Sequence, residues 1–254
     1  MNDLLEFKSF AKLLAEESGK IIKNYFRKSF AIENKFDESP VTIADKKAEE
    51  SMRNLIMNEF PEHGILGEEF GEHNPDAEYR WILDPIDGTR SFICGTVTFG
   101  TLIALVKNNQ PIFGVINQPI LNEFLIGDNN SAELNGEKVC IRNCMSLSDA
   151  VLLTTDHLNV GKYQSMDRFE NLIRNVKLYR NWGDCYGYYL LATGYADIMI
   201  DPIMSVWDTM AIIPIIRGAK GIITDYNGND PSKGNSIVAA SSGIHSKVLE
   251  ILGS

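Results

Sequence analysis

Between Trp81 and Arg90 the chain reads WILDPIDGTR, a run that constrains both a local backbone and the chemistry it can carry. Trp81, Ile82 and Leu83 form an apolar strand that runs into Asp84-Pro85-Ile86-Asp87, and Gly88-Thr89 reads as a helix start. Two carboxylates, Asp84 and Asp87, therefore leave the end of one buried strand together. A strand end that feeds a helix offers rigid oxygens on one side and free backbone N–H groups on the other, which suits a cation and an anionic group bound side by side. Mg2+ is a hard octahedral ion that takes carboxylate, carbonyl and water oxygens at about 2.0–2.1 Å, so Asp84, Asp87 and the carbonyl of Ile86 match its demands. A bare D-P-x-D equally serves as turn and cap aspartates without any metal, and this segment alone leaves both readings open.

Three more acidic elements stand elsewhere in the chain. In Ile65-Leu66-Gly67-Glu68-Glu69 a carboxylate follows another apolar run, and Gly67 permits close backbone approach. Ser205-Val206-Trp207-Asp208 precedes the apolar helix Met210 to Ile216, and Thr42 stands three residues before Asp45 at the start of another helix. Each has an ordinary explanation as well: the glutamates as a solvated surface pair, the S-x-x-D and T-x-x-D pairs as capping boxes.

Leu4, Phe7, Ala11, Leu14, Ser18, Ile21 and Tyr25 recur at helical spacing, so Asp3 to about Arg27 reads as a long amphipathic helix. After a polar stretch around Asn34 to Pro40, Thr42 caps a second helix that turns Ala44, Ala48, Met52, Leu55 and Ile56 inward and ends before Pro61. Strands then follow at Ile65-Leu66, Trp81 to Leu83, Thr101 to Val106, Ile112 to Ile116 and Phe124 to Ile126, with hairpin turns at Asn108-Asn109 and Asn135-Gly136. In the second half, strands at Val151 to Leu153, Val176 to Tyr179, Ile198 to Ile200, Gly221 to Thr224 and Ile237 to Ala240 alternate with helical stretches. This order predicts a layered α/β or α+β sandwich without internal repeats.

The chain has 254 residues, enough for one large domain or two tightly joined halves. A net charge of −10 argues against a diffuse basic surface for nucleic acid or anionic membranes, so a phosphate ligand needs local positive charge. No run reaches the roughly 18–20 apolar residues of a membrane helix, and the N-terminus lacks a signal-peptide core. The expected location is the cytoplasm. Cys94, Cys140, Cys144 and Cys185 form no C-x-x-C pair and read as free thiols in a reducing compartment. His63, His73, His157 and His245 are scattered, and neither H-E-x-x-H nor G-x-S-x-G occurs, which leaves zinc-protease and serine-histidine chemistry without support.

Taken together, SPVTIADKKAEE at Ser39 to Glu50, GEEFG at Gly67 to Gly71, DPIDGTRSF at Asp84 to Phe92 and Trp207-Asp208 resemble, in order and spacing, the inositol monophosphatase-like superfamily of metal-dependent phosphatases. The resemblance covers nearly the whole chain. It implies one unit over 1–254, with halves at about 1–146 and 147–254, folded as an α+β layered αβαβα sandwich of the sugar-phosphatase type with helices between two sheets. Position by position, it implies that Glu68, Asp84 and the Ile86 carbonyl hold one Mg2+, and that Asp84, Asp87 and Asp208 hold a second. Glu68 would also reach a third, weaker ion through solvent, giving two or three per site, with Mn2+ as a substitute. Asp45 and Thr89 would hold the attacking water, and the Gly88 and Thr89 N–H groups would receive the phosphate.

Within the superfamily, GTRSFICG from Gly88 and WGDCYGY from Trp182 resemble the histidinol-phosphate phosphatase branch, whereas Trp207-Asp208 is spelled as in the inositol branch. Arg90, Asp184 and Asp201 are then the expected substrate contacts, the two carboxylates complementing a cationic amine. The implied reaction is hydrolysis of a small phosphate monoester, histidinol phosphate first, by water that the metal activates. Inositol 1-phosphate, a nucleotide 3′-phosphate and a sugar bisphosphate are the alternatives, and a non-catalytic metal-binding scaffold is the reading outside enzymology. The partner is a small phosphorylated metabolite, with neither nucleic acid nor membrane, and the resemblance implies a homodimer.

Overall fold

The computed structural model describes residues 2–28, 32–34 and 40–253. Residues 35–39 of the polar stretch, Ser39 of the first resembling segment among them, lie outside the described residues.

Helix α1 spans Asn2–Tyr25 and stops short of the expected Arg27, where the backbone turns to a φ of 57°. A short antiparallel pair, β1 (Ile32–Asn34) and β2 (Pro40–Thr42), leads directly into α2 (Ile43–Glu59). Thr42 caps α2 as expected: its hydroxyl accepts the Ala44 N–H at 3.1 Å, and Asp45 accepts the Thr42 N–H at 2.9 Å.

Eight strands make the larger sheet: β3 (Gly64–Gly67), β4 (Gly71–His73), β5 (Tyr79–Asp87), β6 (Gly100–Lys107), β7 (Gln110–Gln118), β8 (Glu123–Gly127), β9 (Ala132–Leu134) and β10 (Glu137–Val139). Their order is β10-β9-β8-β7-β6-β5-β3-β4, antiparallel throughout except for the β3–β5 pair. One turn of helix, α3 (Thr89–Ile93), leaves the end of β5. The two expected hairpin turns are present, and both residues of each take positive φ: 50° and 64° at Asn108 and Asn109, 50° and 87° at Asn135 and Gly136.

The smaller sheet contains β11 (Val151–Thr154), β12 (Leu178–Arg180), β13 (Ile198–Asp201), β14 (Ile222–Thr224) and β15 (Ile237–Ala240) in the order β12-β11-β13-β15-β14. Strand β12 starts later than the expected Val176 because Val176 ends the preceding helix. Helices α4 (His157–Tyr163), α5 (Met166–Asn175), α6 (Asp184–Ala192), α7 (Val206–Gly218) and α8 (His245–Leu252) complete the chain.

Strand alternation sorts the core into layers. Trp81, Leu83, Ile103, Leu105 and Phe113 face α1 and α2, meeting Phe10, Leu14, Met52 and Ile56. Their neighbours Ile82, Leu102 and Ala104 face the other way, onto Tyr188 and Leu191 of α6, Ala211 and Ile215 of α7, and the inner residues Leu153, Met199 and Ala239 of the smaller sheet. Phe169 and Leu172 of α5 with Val248 of α8 cover that sheet's outer face. The sequence of layers is therefore α1/α2, large sheet, α6/α7, small sheet, α5/α8, the expected αβαβα sandwich.

Helix α7 is nearly all apolar because it is buried between the two sheets. It lies directly on the backbone of the larger one: a Cβ at Gly114 would stand 1.9 Å from the Ala211 carbonyl oxygen, and one at Gly127 would stand 2.5 Å from the Ile215 Cα. Among the described residues no helix is long and apolar enough to cross a membrane.

Candidate active site

Strand β5 passes out of regular pairing where its acidic residues begin. Asp84 pairs with Leu102, and the next pairing joins Asp87 to Gly100, so three steps on β5 oppose two on β6. Such an insertion re-aims side chains at the end of a strand. The Thr101 hydroxyl donates to the Pro85 carbonyl at 2.9 Å and fastens the bulge, and Gly88 then takes the left-handed φ of 85° that starts α3.

The outcome is a group of buried acids. Carboxylate oxygens of Asp84, Asp87 and Asp208 all lie within 4.8 Å of one another. Asp84 is 3% exposed, and its Oδ1 is buried without a hydrogen-bond partner. Burial, then the charges of Glu68, Asp87 and Asp208, hold the Asp84 carboxyl well above its ordinary value. Burial, then Asp184 and Asp208, do the same to Asp87, and burial chiefly pushes Asp208 up to about 7. Glu68 stands beside this trio rather than within it: its N–H donates to the Leu83 carbonyl at 3.2 Å, extending the β3–β5 ladder by one bond next to Asp84. Converging carboxylates with an unused buried lone pair match a hard divalent cation, which would satisfy that oxygen and relieve the repulsion.

Two helix starts supply the remaining acids. Asp45 sits in the first turn of α2 and Asp208 in that of α7, where its Oδ2 accepts the Ser205 N–H at 3.0 Å. The Thr89 hydroxyl lies 3.4 Å from Asp45 Oδ1 and 3.1 Å from the Ile86 carbonyl, which brings Asp45, Ile86 and Thr89 to one point. Burial, the largest influence, raises the Asp45 carboxyl to about 6.

Asp184 opens α6 with a φ of 50°, and its carboxylate lies over Gly88, where a Cβ would come within 2.8 Å of Oδ2. That oxygen accepts the Ser91 hydroxyl at 2.9 Å, and burial pushes the group up to about 6. Asp201 is buried at the end of β13, its Oδ1 accepting the Thr155 N–H at 3.1 Å and its Oδ2 the Tyr188 hydroxyl at 2.9 Å; burial raises it to about 7. Asp87, Asp184, Asp201 and Asp208 share one cavity of about 130 Å³. Arg90 is exposed and lines the adjoining cleft with Glu68, Gly88 and Thr89.

Further residues enter the site: Cys185, from within the WGDCYGY segment, and Asp156, Asn159 and Glu49, which the motifs did not single out. Asp156 and Asn159 of the α4 start line both the cavity and the cleft. Asp156 caps α4 by accepting the Leu158 N–H at 2.9 Å, and that capping position was its one signal in the sequence. Cys185 donates its backbone N–H to Asp87 Oδ2, and Glu49 of α2 is buried behind the Glu68 turn. All four cysteines are free, Cys185 buried and Cys94 exposed.

Known proteins share this architecture over its whole length. The chain is 39% identical to a histidinol-phosphatase of Chlorobaculum parvum, with 94% of each chain covered. It is 42% identical to the bifunctional phosphatase IMPL2, chloroplastic, of Arabidopsis thaliana, over 98% of this chain and 76% of that one. A solved inositol monophosphatase from Zymomonas mobilis superposes with a TM-score of 0.87 at 37% identity, covering 97% of both chains. The sequence profile of the inositol monophosphatase family matches residues 3–254, and with the sandwich and its acidic cage in place, the chain belongs to that family of metal-dependent phosphatases.

Proposed function

We propose that this phosphatase is Mg2+-dependent and hydrolyses histidinol phosphate to histidinol. The observation that carries the reading is the surplus of carboxylates: the cavity that Asp87 and Asp208 of the acidic cluster line is also lined by Asp156, Asp184 and Asp201. A leaving group that bears an ammonium complements that lining. The similarity to a histidinol-phosphatase supports it as well.

Glu68, Asp84, Asp87, Asp208 and the Ile86 carbonyl would hold the ions, which supply Lewis acidity to the phosphate and to water. The chain's own groups do the rest. The Gly88 and Thr89 N–H groups face the phosphate, and Arg90 at the rim balances part of its charge. The Thr89 hydroxyl accepts a hydrogen bond from the attacking water and passes its own proton toward Asp45 Oδ1, 3.4 Å away. Water oxygen bonds to phosphorus as the ester P–O bond breaks, and the departing alkoxide takes a proton from solvent. The Asp184 carboxylate lies over Gly88, which supports its role as the group that receives the amine.

A polyol phosphate is the second reading, favoured by Asn159 and Thr155, neutral hydrogen-bonding side chains on the same cavity wall, and by the likeness to a solved inositol monophosphatase. Phosphate release from histidinol phosphate and inositol 1-phosphate, each with and without Mg2+, separates them. A higher kcat/KM for inositol 1-phosphate would overturn the first reading, and turnover undiminished by chelation would overturn the metal.

A further inference from the structure

We propose that Glu49 is a positioning residue for the metal site, holding Glu68 in place through the backbone of the turn that carries it. The inference rests on the reading of Glu68 as a metal ligand.

Glu49 is fully buried in α2, one helical turn after Asp45 and on the same face. Its Oε2 accepts the Glu69 N–H at 2.8 Å, and its Oε1 accepts the Phe70 N–H at 3.2 Å. Arg53, one turn further along α2, pairs with Oε1 at 3.2 Å and donates to the Gly71 carbonyl at 2.9 Å. Two side chains of one helix thus bind three successive backbone groups after Glu68. On the other side, Gly67 has room for no side chain: a Cβ there would stand 1.9 Å from Glu49 Oε1. The turn between β3 and β4 is wrapped around this carboxylate.

A charge this deep is costly unless every lone pair is engaged. Burial pushes the Glu49 carboxyl up, and the Glu69 and Phe70 N–H groups with Arg53 pull it back. A buried ion pair of this kind is often matched in stability by apolar side chains of similar size, so folding alone gives little reason for it. Fixing the direction of a neighbouring ligand is a use that an apolar side chain cannot serve, because only an acceptor can hold two N–H groups. The same helix aims Asp45 at Thr89, so α2 registers the metal side and the water side of the site against each other.

The test is Mg2+ binding to the metal-free full-length chain, followed by isothermal titration calorimetry without substrate. It compares the parent, Glu49→Gln, Glu68→Gln and the double variant. Glutamine keeps the size but sets an NH2 against an N–H donor. The expected result is a loss of Mg2+ affinity of about 10- to 100-fold in Glu49→Gln. That loss should vanish in the Glu68→Gln background, because coupled residues are not additive. An undiminished loss in the double variant overturns the proposal, as does parental affinity in Glu49→Gln when Glu68→Gln is weakened. Parental affinity in Glu68→Gln removes the ligand assignment itself, and the positioning role falls with it. Should Glu49→Gln fail to fold by circular dichroism, Gly67→Ala, which displaces the same carboxylate, is judged by the same criteria.

Discussion

The Asp87 carboxylate accepts the backbone N–H of Cys185, joining the end of β5 in the larger sheet to the first turn of α6 across 98 positions of sequence. A second bond, from the Ser91 hydroxyl to Asp184, runs parallel to it at 2.9 Å. The cavity between them is therefore closed by parts of the chain that meet only when both sheets have been laid against α6 and α7.

Asp87→Asn keeps the acceptor for Cys185 but removes a charge from the cage. Loss of an outer partner costs about 10- to 100-fold in metal affinity or activity, so loss of a ligand should exceed about 100-fold in phosphate release. Parental rates would refute the assignment of Asp87.

Thr89→Ala removes the hydroxyl that lies between Asp45 and the Ile86 carbonyl. The expected fall in kcat is about 10²- to 10⁴-fold, the usual contribution of a positioned proton-transfer group. Mg2+ affinity by calorimetry should stay at the parental value, and a parallel loss of affinity would count against a role in orienting water.

The acids also set a pH dependence. Asp45 stands at about 6, Asp201 and Asp208 at about 7, each raised from 3.8 chiefly by burial. A raised carboxyl binds its proton more tightly folded than unfolded, so its stabilisation is complete below about pH 4 and is lost as pH rises through about 6 to 7. Of the three only Asp208 is a proposed ligand, and Mg2+ bound there would take over the role of its proton. The rise in Tm on adding Mg2+ should accordingly be small near about pH 5 and large near about pH 8, and equal rises at both would contradict the proposed cage.

Asp184→Asn preserves an oxygen for Ser91 while deleting the charge offered to an amine. A charge-assisted hydrogen bond is worth about 1.5–3 kcal/mol, so kcat/KM for histidinol phosphate should fall by about tenfold or more. The value for inositol 1-phosphate should change less, and an equal fall for both substrates would remove Asp184 from substrate selection.

Gly114→Ala tests the packing of α7, since the new Cβ would stand 1.9 Å from the Ala211 carbonyl oxygen. Overpacking of this kind costs about 1–3 kcal/mol, to be read from urea unfolding. An unchanged midpoint would show that α7 can move off the sheet freely.

What was legible in the sequence was local. The strand–turn–helix at 81–93, the caps at Thr42 and Ser205, the hairpin asparagines and the buried character of α7 each follow from residues close in sequence, and the structure contains them all. Glu49 was not legible as part of the site, because its place depends on α2 crossing the β3–β4 turn about 20 positions away. Cys185 contributes a backbone group, which residue type does not reveal. Strand β4 is three largely exposed residues with no apolar alternation, so nothing in its composition marks it. Asp156 and Asn159 reach the cavity only because β11 delivers the start of α4 there.

Asp45 and Asp208 each spend one oxygen on the N–H at the start of their own helix. If both positions serve the reaction as proposed, a drifting descendant that placed alanine at either would also loosen a helix end, at about 1 kcal/mol for each cap. Inactive relatives of this protein should for that reason keep asparagine or serine at these two positions more often than alanine, leaving a trace of the lost chemistry in the architecture that outlives it.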